Sequence, residues 1–258
     1  MLEVIVICIA TFLTAILTFF SGFGLGTILA PVFALFFPID IAIALTGLVH
    51  FSNNLFKVIL LGKNADKLVL LKFGIPAIIA SFIGAWLLLK ITVLPSIFQY
   101  QFFEKTYHIT IVKLVIALLL ISFSIIEIFP YAQKIALNKN KLILGGLLSG
   151  FFGGLSGIQG AIRSAFLIKS GLTKESYIAT GVVIACLVDI SRLSVYITRY
   201  SSSGLQENIT LLISSTLAAI AGAFIGKKLL KKITLRNIQL FVAFMLILIS
   251  LLLSLGII

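Results

Sequence analysis

The feature that most constrains this chain is a run of 36 residues, positions 4–39, with no charged side chain. A membrane-spanning helix needs about 20 apolar residues, and the apolar core of a cleavable signal has only about 7–15. The run is too long for either. As one straight helix, at about 1.5 Å per residue, it would extend roughly 54 Å. We therefore expect the run to break inside a membrane.

The composition of the whole chain supports a membrane protein. Of its 258 residues, 60% are hydrophobic and 11% are charged, whereas soluble domains carry about 25% charged residues. A soluble fold could not cover this much apolar surface, which excludes a soluble enzyme, a disordered chain and a nucleic-acid-binding module. The net charge of +12 comes from basic clusters between long uncharged runs, as membrane proteins place them. Cys8 and Cys186 lie in apolar runs and predict no disulfide framework.

The chain divides into eight apolar blocks, most of them the length of one span. They cover residues 4–37, 41–61, 68–90, 109–130, 142–169, 176–199, 207–226 and 237–257. The first and fifth are too long, and each contains a break signal. The first has Ser21–Thr27 followed by Pro31, and the fifth has Gly153–Gly160. Glycine and proline release backbone groups from the helix, and lipid tolerates this only inside protein or beside a wet cavity.

An internal repeat divides the chain into two halves, 1–130 and 131–258. Phe82–Thr92 reads FIGAWLLLKIT and Phe224–Thr234 reads FIGKKLLKKIT, with eight of eleven positions identical. A repeat of this length indicates that each half is one copy of the same structural unit.

The distribution of basic residues favours inverted halves. If all eight blocks cross, seventeen basic residues near the block ends split seven to ten; if the two broken blocks return to their own side, they split thirteen to four. The positive-inside rule prefers the second arrangement. We therefore predict an all-α polytopic membrane protein with two inverted-topology repeats. Each repeat has one broken, re-entrant glycine-rich helix plus three transmembrane helices. The lysine-rich loops at 62–67, 131–141 and 227–236 are expected on the cytoplasmic side of the cell (inner) membrane, with both termini outside.

Inverted halves whose broken helices meet near the midplane are typical of secondary transporters, and half-helix N-termini suit an anion. At these residues the chain resembles the TauE/SafE family of membrane anion permeases. The resemblance rests on Ser21–Thr27 with Pro31, on Gly150–Gly160, and on the Thr-Gly pairs at 46–47 and 180–181. It implies a carrier that exports sulfite, sulfoacetate or a related sulfur-containing anion, without a bound cofactor or metal. Thr27, Gln159 and Arg163 depart from the usual pattern of the family.

Charged side chains inside a span cost a few kcal/mol on insertion scales and are usually paired or functional. Asp189 and Arg192 lie three residues apart and share a helix face. They form either a structural ion pair or a proton-coupling carboxylate beside an anion-facing arginine. Arg163 follows the second break, where it either attracts the anion or bonds the broken backbone.

A polar stripe at helical spacing occupies the second block: His50, Asn53, Asn54 and Lys57. It lines the transport pathway or forms interhelical hydrogen bonds. A histidine with its ordinary pKa exchanges a proton near neutral pH, so His50 joins Asp189 as a candidate coupling residue. The glycines at the two breaks either form an unwound anion nest, which we favour, or allow close helix approach.

These patterns predict the following substrate-binding residues: Gly22, Gly24, Gly26, Thr27, His50, Asn53, Asn54, Gly154, Ser156, Gly157, Gln159, Gly160, Arg163 and Arg192. The expected mechanism is alternating access with coupling to protons or to the membrane potential. The expected partners are the small anion and the lipid bilayer, with no nucleic acid. A homodimer is a further expected possibility for its assembly.

Two other functions remain as alternatives. One is a passive anion channel. The other is an intramembrane serine protease that uses Ser156 in its GxSG sequence. That mechanism needs a histidine base, and both histidines, His50 and His108, precede the serine. The chain has no phosphate-binding loop for ATP and no paired histidines for a metal.

The inverted arrangement predicts that Lys67 and Glu104 lie on opposite sides of the membrane, because one span separates them. Single cysteines at these positions, in a chain whose native cysteines are replaced by alanine, should react with an impermeant reagent from opposite sides. Equal labelling of both positions from the same side would contradict the topology.

Overall fold

The computed structural model describes residues 2–18, 25–128, 141–168, 170–200, 208–229 and 235–258. The helices are α1 (Leu2–Thr18), α2 (Leu25–Ala34), α3 (Ile39–Leu61), α4 (Lys67–Thr92), α5 (Ile111–Ile128), α6 (Leu142–Ser156), α7 (Gly160–Leu167), α8 (Lys174–Tyr200), α9 (Ile209–Leu229) and α10 (Leu235–Ser254). A 3-10 turn at Gly62–Asn64 joins α3 to α4, and α4 contains a π-helical stretch at Leu70–Gly74. The predicted all-α membrane architecture is confirmed.

Helix length and composition support a multi-pass membrane protein. Within the described ranges, four helices are long and apolar enough to cross a bilayer: Ile39–Asn64, Lys67–Thr92, Lys174–Ile197 and Ile209–Gly226. The apolar helices α5 and α10 have 18 and 20 residues. At about 1.5 Å per residue each is close to the roughly 30 Å core of a bilayer.

The break predicted in the fifth block is confirmed. The helix α6 ends at Ser156, Gly157 adopts a left-handed conformation with φ of +80°, and α7 begins at Gly160. The amide of Gly157 donates to the carbonyl oxygen of Gly153 at 2.9 Å, which closes the last turn of α6. A left-handed residue after the last helical turn is a common helix terminator and favours glycine.

The break predicted in the first block lies partly outside the described residues, at 19–24, and its predicted C-terminal end at Thr27 was wrong. The break was predicted through Thr27 with Pro31 after it, whereas α2 already begins at Leu25 and includes Gly26, Thr27 and Pro31. A proline inside a membrane helix is tolerated where neighbouring groups satisfy the released backbone. The candidate site residues Gly22 and Gly24 lie outside the described residues.

Most glycines of α6 serve close helix packing rather than an anion nest. Gly146, Gly150 and Gly154 are spaced four residues apart and share one face of α6. A Cβ added at Gly150 would overlap the carbonyl oxygen of Ala77, and one at Gly154 would overlap that of Ser81. Small residues at this spacing let two membrane helices approach to backbone contact. The nest predicted around Gly154 is therefore wrong, because this residue is helical and faces α4.

Helices from one half of the chain pack against helices from the other half. The first-half helix α4 packs along the second-half helix α6, and the second-half helix α9 packs along α1. The α9–α1 contact is equally close, since a Cβ at Gly222 would overlap the carbonyl oxygen of Phe12. The remaining long helices pair as α3 with α8 and α5 with α10. A two-fold pseudo-axis would produce this pairing; the opposite orientation of the halves stays a prediction.

A β-hairpin between α4 and α5 was not predicted from the sequence. Strand β1 (Phe98–Phe102) pairs antiparallel with β2 (Lys105–Ile109), and Phe103 and Glu104 both have positive φ in the two-residue turn. The hydroxyl of Tyr100 donates to the carbonyl oxygen of Leu255 at 2.7 Å, which ties the hairpin to the C-terminal residues. The alternation of aromatic and polar residues is a signal for strands, but a segment between two membrane spans is usually a loop.

Glycine packing between α4 and α6 makes a stability prediction. Gly154→Ala should lower the melting temperature of the detergent-solubilised protein strongly, because the new methyl group overlaps backbone that cannot rotate away. Overpacking of this kind costs about 1–3 kcal/mol or more. Gly74→Ala in α4 is the matched control, since its Cβ would lie 3.7 Å from the nearest side-chain atom of Leu187. Equal melting temperatures for the two variants would show that the α4–α6 contact is not tight.

Candidate functional site

The candidate site is a buried polar cluster where α3, α8 and the α6–α7 break meet. Asp189 lies at its centre, at full burial in the middle of α8. His50 on α3, Gln159 at the start of α7 and Arg192 on α8 all bond to its carboxylate. The cluster therefore joins a first-half helix to two second-half elements.

Both carboxylate oxygens of Asp189 accept hydrogen bonds. Oδ2 lies 2.6 Å from Nδ1 of His50. Oδ1 accepts from Nε of Arg192 at 2.9 Å and from Nε2 of Gln159 at 3.2 Å, and Nη2 of Arg192 is 2.8 Å from the same oxygen. A buried carboxylate is costly unless it is paired and hydrogen-bonded. The geometry offsets this cost with one cation and two polar donors.

A second arginine connects to the carboxylate through Gln159. Nη1 of Arg163 donates to Oε1 of Gln159 at 2.9 Å. The backbone of Gln159 is itself held, because the hydroxyl of Ser149 on α6 donates to its carbonyl oxygen at 2.9 Å. Both arginines, predicted separately from the sequence, thus belong to one network.

The glycines of the site make room for the arginines and for contact between the halves. A Cβ at Gly26 on α2 would lie 3.1 Å from the carbonyl oxygen of Gly157 and 3.6 Å from the His50 ring. A Cβ at Gly157 would lie 2.9 Å from Nη1 of Arg192, and one at Gly47 would lie 3.3 Å from Cζ of the same arginine. The start of α2 therefore meets the second break directly, beside the Arg192 guanidinium.

The polar stripe of α3 is buried along its whole length. The amide nitrogen of Asn54 lies 3.1 Å from both ring nitrogens of His50. Asn53 is 1% exposed, and among the described residues neither its amide nitrogen nor its amide oxygen has a hydrogen-bond partner. Lys57, one turn further along, is buried as well. The stripe faces protein rather than lipid, as its spacing predicted.

Ser156, Gly160 and Thr27 are three further residues of the predicted site. The hydroxyl of Ser156 donates to the carbonyl oxygen of Phe152 in its own helix at 2.8 Å and accepts from the amide of Ile158 at 3.3 Å. This hydroxyl serves the end of α6 and is not bonded to a histidine, as the protease alternative would need. Gly160 and Thr27 are buried in the first turns of α7 and α2.

Sequence reasoning missed Tyr196 and Ser149, which position the break. The hydroxyl of Tyr196 on α8 donates to the carbonyl oxygen of Gly154, an acceptor that the end of α6 leaves unsatisfied. Gly47 and Gly181, noted only as parts of repeated Thr-Gly pairs, each lie against an arginine, Arg192 and Arg163 respectively. The occurrence of Gly47 and Gly181 at corresponding positions of the two repeats was the sequence signal that could have identified them.

A cavity of about 430 Å³ lies elsewhere, on the side of the hairpin. Its lining includes Asp40 at the start of α3, Thr92 at the end of α4, and Thr110 and Lys113 at the start of α5. None of the predicted site residues lines it. It is distinct from the cluster around Asp189.

A family model described as "Sulfite exporter TauE/SafE" matches residues 7–253, nearly the whole chain. No curated protein and no solved structure matches the chain.

The Asp189–Arg192 pair makes a double-mutant prediction. Asp189→Asn or Arg192→Met alone should lower the free energy of unfolding by about 3–5 kcal/mol, because each removes the direct ion-pair partner of a fully buried charge. The double variant should lose much less than the sum, since no charge of the pair remains. Unfolding in micelles measures all three, with Lys63→Ala as an exposed control. Additive losses would contradict an energetic coupling between the two side chains.

Proposed function

This chain belongs to the TauE/SafE family of sulfite exporters, and from that premise we propose that it is a secondary transporter for a small anion. The proposed substrate is a sulfur-containing oxyanion or an organosulfonate, such as sulfite or sulfoacetate. The following observations of charge, burial and helix ends support this proposal.

The observation that carries the proposal is an excess of positive charge in the buried cluster. Among the described residues of the cluster, Lys57, Arg163 and Arg192 carry three positive charges against the one negative charge of Asp189, and His50 adds a charge only when it is protonated. Cations inside a membrane are costly and usually mark an ion pathway. A passing anion would offset the excess of two charges.

The helix N-termini at the cluster add hydrogen-bond donors and a partial positive charge. The helix α7 begins at Gly160, three positions after Gly157, and the start of α2 contacts Gly157. Free amides and the positive end of the helix dipole stabilise anions at such N-termini. We place the anion between these two helix starts, beside Arg163 and Gln159.

The His50–Asp189 pair supports coupling to protons. The two side chains are 2.6 Å apart and belong to opposite halves of the chain. A proton taken up by this pair would change the charge of the cluster by one unit, which links anion binding to pH. Rocking of one half against the other would then expose the cluster to each side in turn.

The proposed cellular setting follows from the charge distribution. The protein would lie in the inner membrane with the loop at 62–67 in the cytoplasm. Most of the lysine-rich loop at 131–141 lies outside the described residues. In the loop at 227–236 the structure describes none of the side chains. The lipid bilayer and the anion are the proposed partners, and a homodimer is a proposed assembly.

A proteoliposome uptake panel tests the function. Sulfite, thiosulfate, sulfonates, carboxylates and phosphate are offered with and without a pH gradient. Saturable uptake of one or more sulfur anions that responds to the gradient is expected. Flux linear in concentration and ohmic in voltage would instead indicate a passive channel, and no uptake of any anion would contradict the proposal.

Arg163→Ala should reduce uptake of the transported anion about tenfold or more, because a charge-assisted hydrogen bond contributes about 1.5–3 kcal/mol. Lys63→Ala is the control, since it removes one exposed positive charge outside the cluster. Initial rates at subsaturating anion concentration provide the measurement. Full uptake of every anion by the Arg163 variant would remove this residue from the site.

A further inference from the structure

The turn of the β-hairpin holds a bulky apolar residue in a conformation that such residues avoid. Phe103 and Glu104 have φ values of +44° and +60°. A two-residue hairpin turn with two positive φ angles favours asparagine and glycine, because a larger side chain crowds the backbone there. Phe103 is also 85% exposed. The turn therefore combines two unfavourable features, a strained backbone and an exposed aromatic ring, and strain of this kind is concentrated at functional sites.

The hairpin has an aromatic face and a polar face. Successive residues of a strand point to opposite faces, so Phe98, Tyr100 and Phe102 lie on one face of β1. Gln99 and Gln101 lie on the other face. The rings of Phe98 and Tyr100 stack at 6.4 Å, while Phe98 and Phe102 are each more than half exposed. The aromatic face is thus accessible at both ends of the strand.

The hairpin lies across the ends of the membrane helices, with its aromatic face turned toward them. Tyr100, at the middle of β1, donates to the carbonyl oxygen of Leu255, just after the end of α10. Nearer the base, a Cβ added at Gly256 would lie 2.6 Å from the carbonyl oxygen of His108. Nζ of Lys113 donates to the carbonyl oxygens of His108 and Gly256 at 3.2 Å each. Contacts at two distances from the turn therefore hold the hairpin at the level of the helix ends, with Gln99 and Gln101 facing away.

An exposed apolar stripe on α4 leads to this hairpin. Its members follow helical spacing and are each more than half exposed: Ile79, Phe82, Trp86 and Val93. Nζ of Lys90 lies 5.5 Å from the centre of the Trp86 ring, and tryptophan beside a basic residue is typical of the membrane interface. Strand β1 begins at Phe98, shortly after the stripe ends. The lipid-facing surface of α4 is therefore continuous with the aromatic face of the hairpin.

From these observations we infer that the hairpin is a membrane-interface anchor whose tip, Phe102 and Phe103, inserts into the headgroup layer of the bilayer. Aromatic rings are stable in this layer, so insertion offsets the exposure of both rings and the strain of the turn. Lys105, which pairs with Phe102 in the hairpin register, can extend its ammonium group toward the lipid phosphates. The inference goes beyond the proposed transport function and does not depend on the substrate.

The two faces of the hairpin favour lipid over a protein as the occupant of the aromatic face. An element lying in the interface meets the bilayer on one side and water on the other. The face that reaches the end of α10 through Tyr100 is the aromatic one, and the face directed away from the helices carries glutamines. The polarity of each face therefore matches the surroundings that the helix ends give it.

Tryptophan reporters test the insertion. Trp86 is the single tryptophan of the chain, so Trp86→Phe provides a background without fluorescence from tryptophan. In this background Phe103→Trp reports on the tip, and Gln101→Trp on the polar face of β1 is the matched control. The full chain is reconstituted into vesicles of phosphatidylethanolamine and phosphatidylglycerol. Acrylamide serves as the quencher in water, and lipids with a nitroxide on the headgroup serve as the quencher in the membrane.

We expect the nitroxide lipids to quench the Phe103→Trp reporter more strongly than the Gln101→Trp reporter. We expect its acrylamide quenching constant to be about threefold to tenfold lower than that of Gln101→Trp, because burial of one aromatic ring favours the inserted position by roughly tenfold or more. Equal acrylamide quenching of the two reporters would place the tip in water and overturn the inference. Shielding from acrylamide without nitroxide quenching would show that protein covers the tip, for example a second copy of this chain, and would overturn it as well.

A second pair of reporters covers the case in which a substitution in the strained turn prevents folding. Phe98→Trp and Gln99→Trp lie at the base of β1, outside the turn, on the aromatic and the polar face respectively. The same contrast in quenching is expected, and its absence in this pair would contradict a bilayer-facing aromatic face. Neither measurement involves transport, so its failure would leave the proposed function untouched.

Discussion

The structure depends on one buried carboxylate. Asp189 bonds to His50, Gln159 and Arg192, and through Gln159 it is connected to Arg163. Removing such a carboxylate from water is costly, and the cations around it would be costly alone. Together they are stable in the apolar interior, and they fix the relative positions of α3, α7 and α8. Arg192 and Arg163, which hold this network together, thus also supply the positive charge of the cluster.

Close backbone packing at glycines is the second constraint, and it leaves room for the network around Asp189. Gly150 and Gly154 bring α6 against the backbone of α4, while Gly157 and Gly47 leave room for the Arg192 guanidinium. A side chain at Gly150 or Gly154 would push α6 away from α4, and one at Gly157 or Gly47 would displace the arginine. Glycine therefore acts here in two ways: in α6 by removing volume, and at Gly157 by adopting a left-handed conformation that ends the helix.

Much of the fold was predictable, because a membrane forces apolar length and charge placement to be visible in the chain. The block predicted at 68–90 corresponds to α4, and the break predicted in the fifth block lies at Gly157. The hairpin that follows α4 was missed, since its aromatic alternation resembles an interfacial loop. The nest at Gly154 was wrong because sequence cannot distinguish a glycine that unwinds a helix from one that admits a neighbouring helix.

The sequence alone determined that the chain crosses a membrane, that the over-long apolar run at 142–169 must break, and that a few charged residues lie within the spans. These follow from local composition, which lipid constrains residue by residue. Only the tertiary structure decided that His50 meets Asp189 across 139 residues, and that Gln159 lies between Asp189 and Arg163. Such contacts depend on how helices from distant parts of the chain pack, and a single sequence carries no local signal for that.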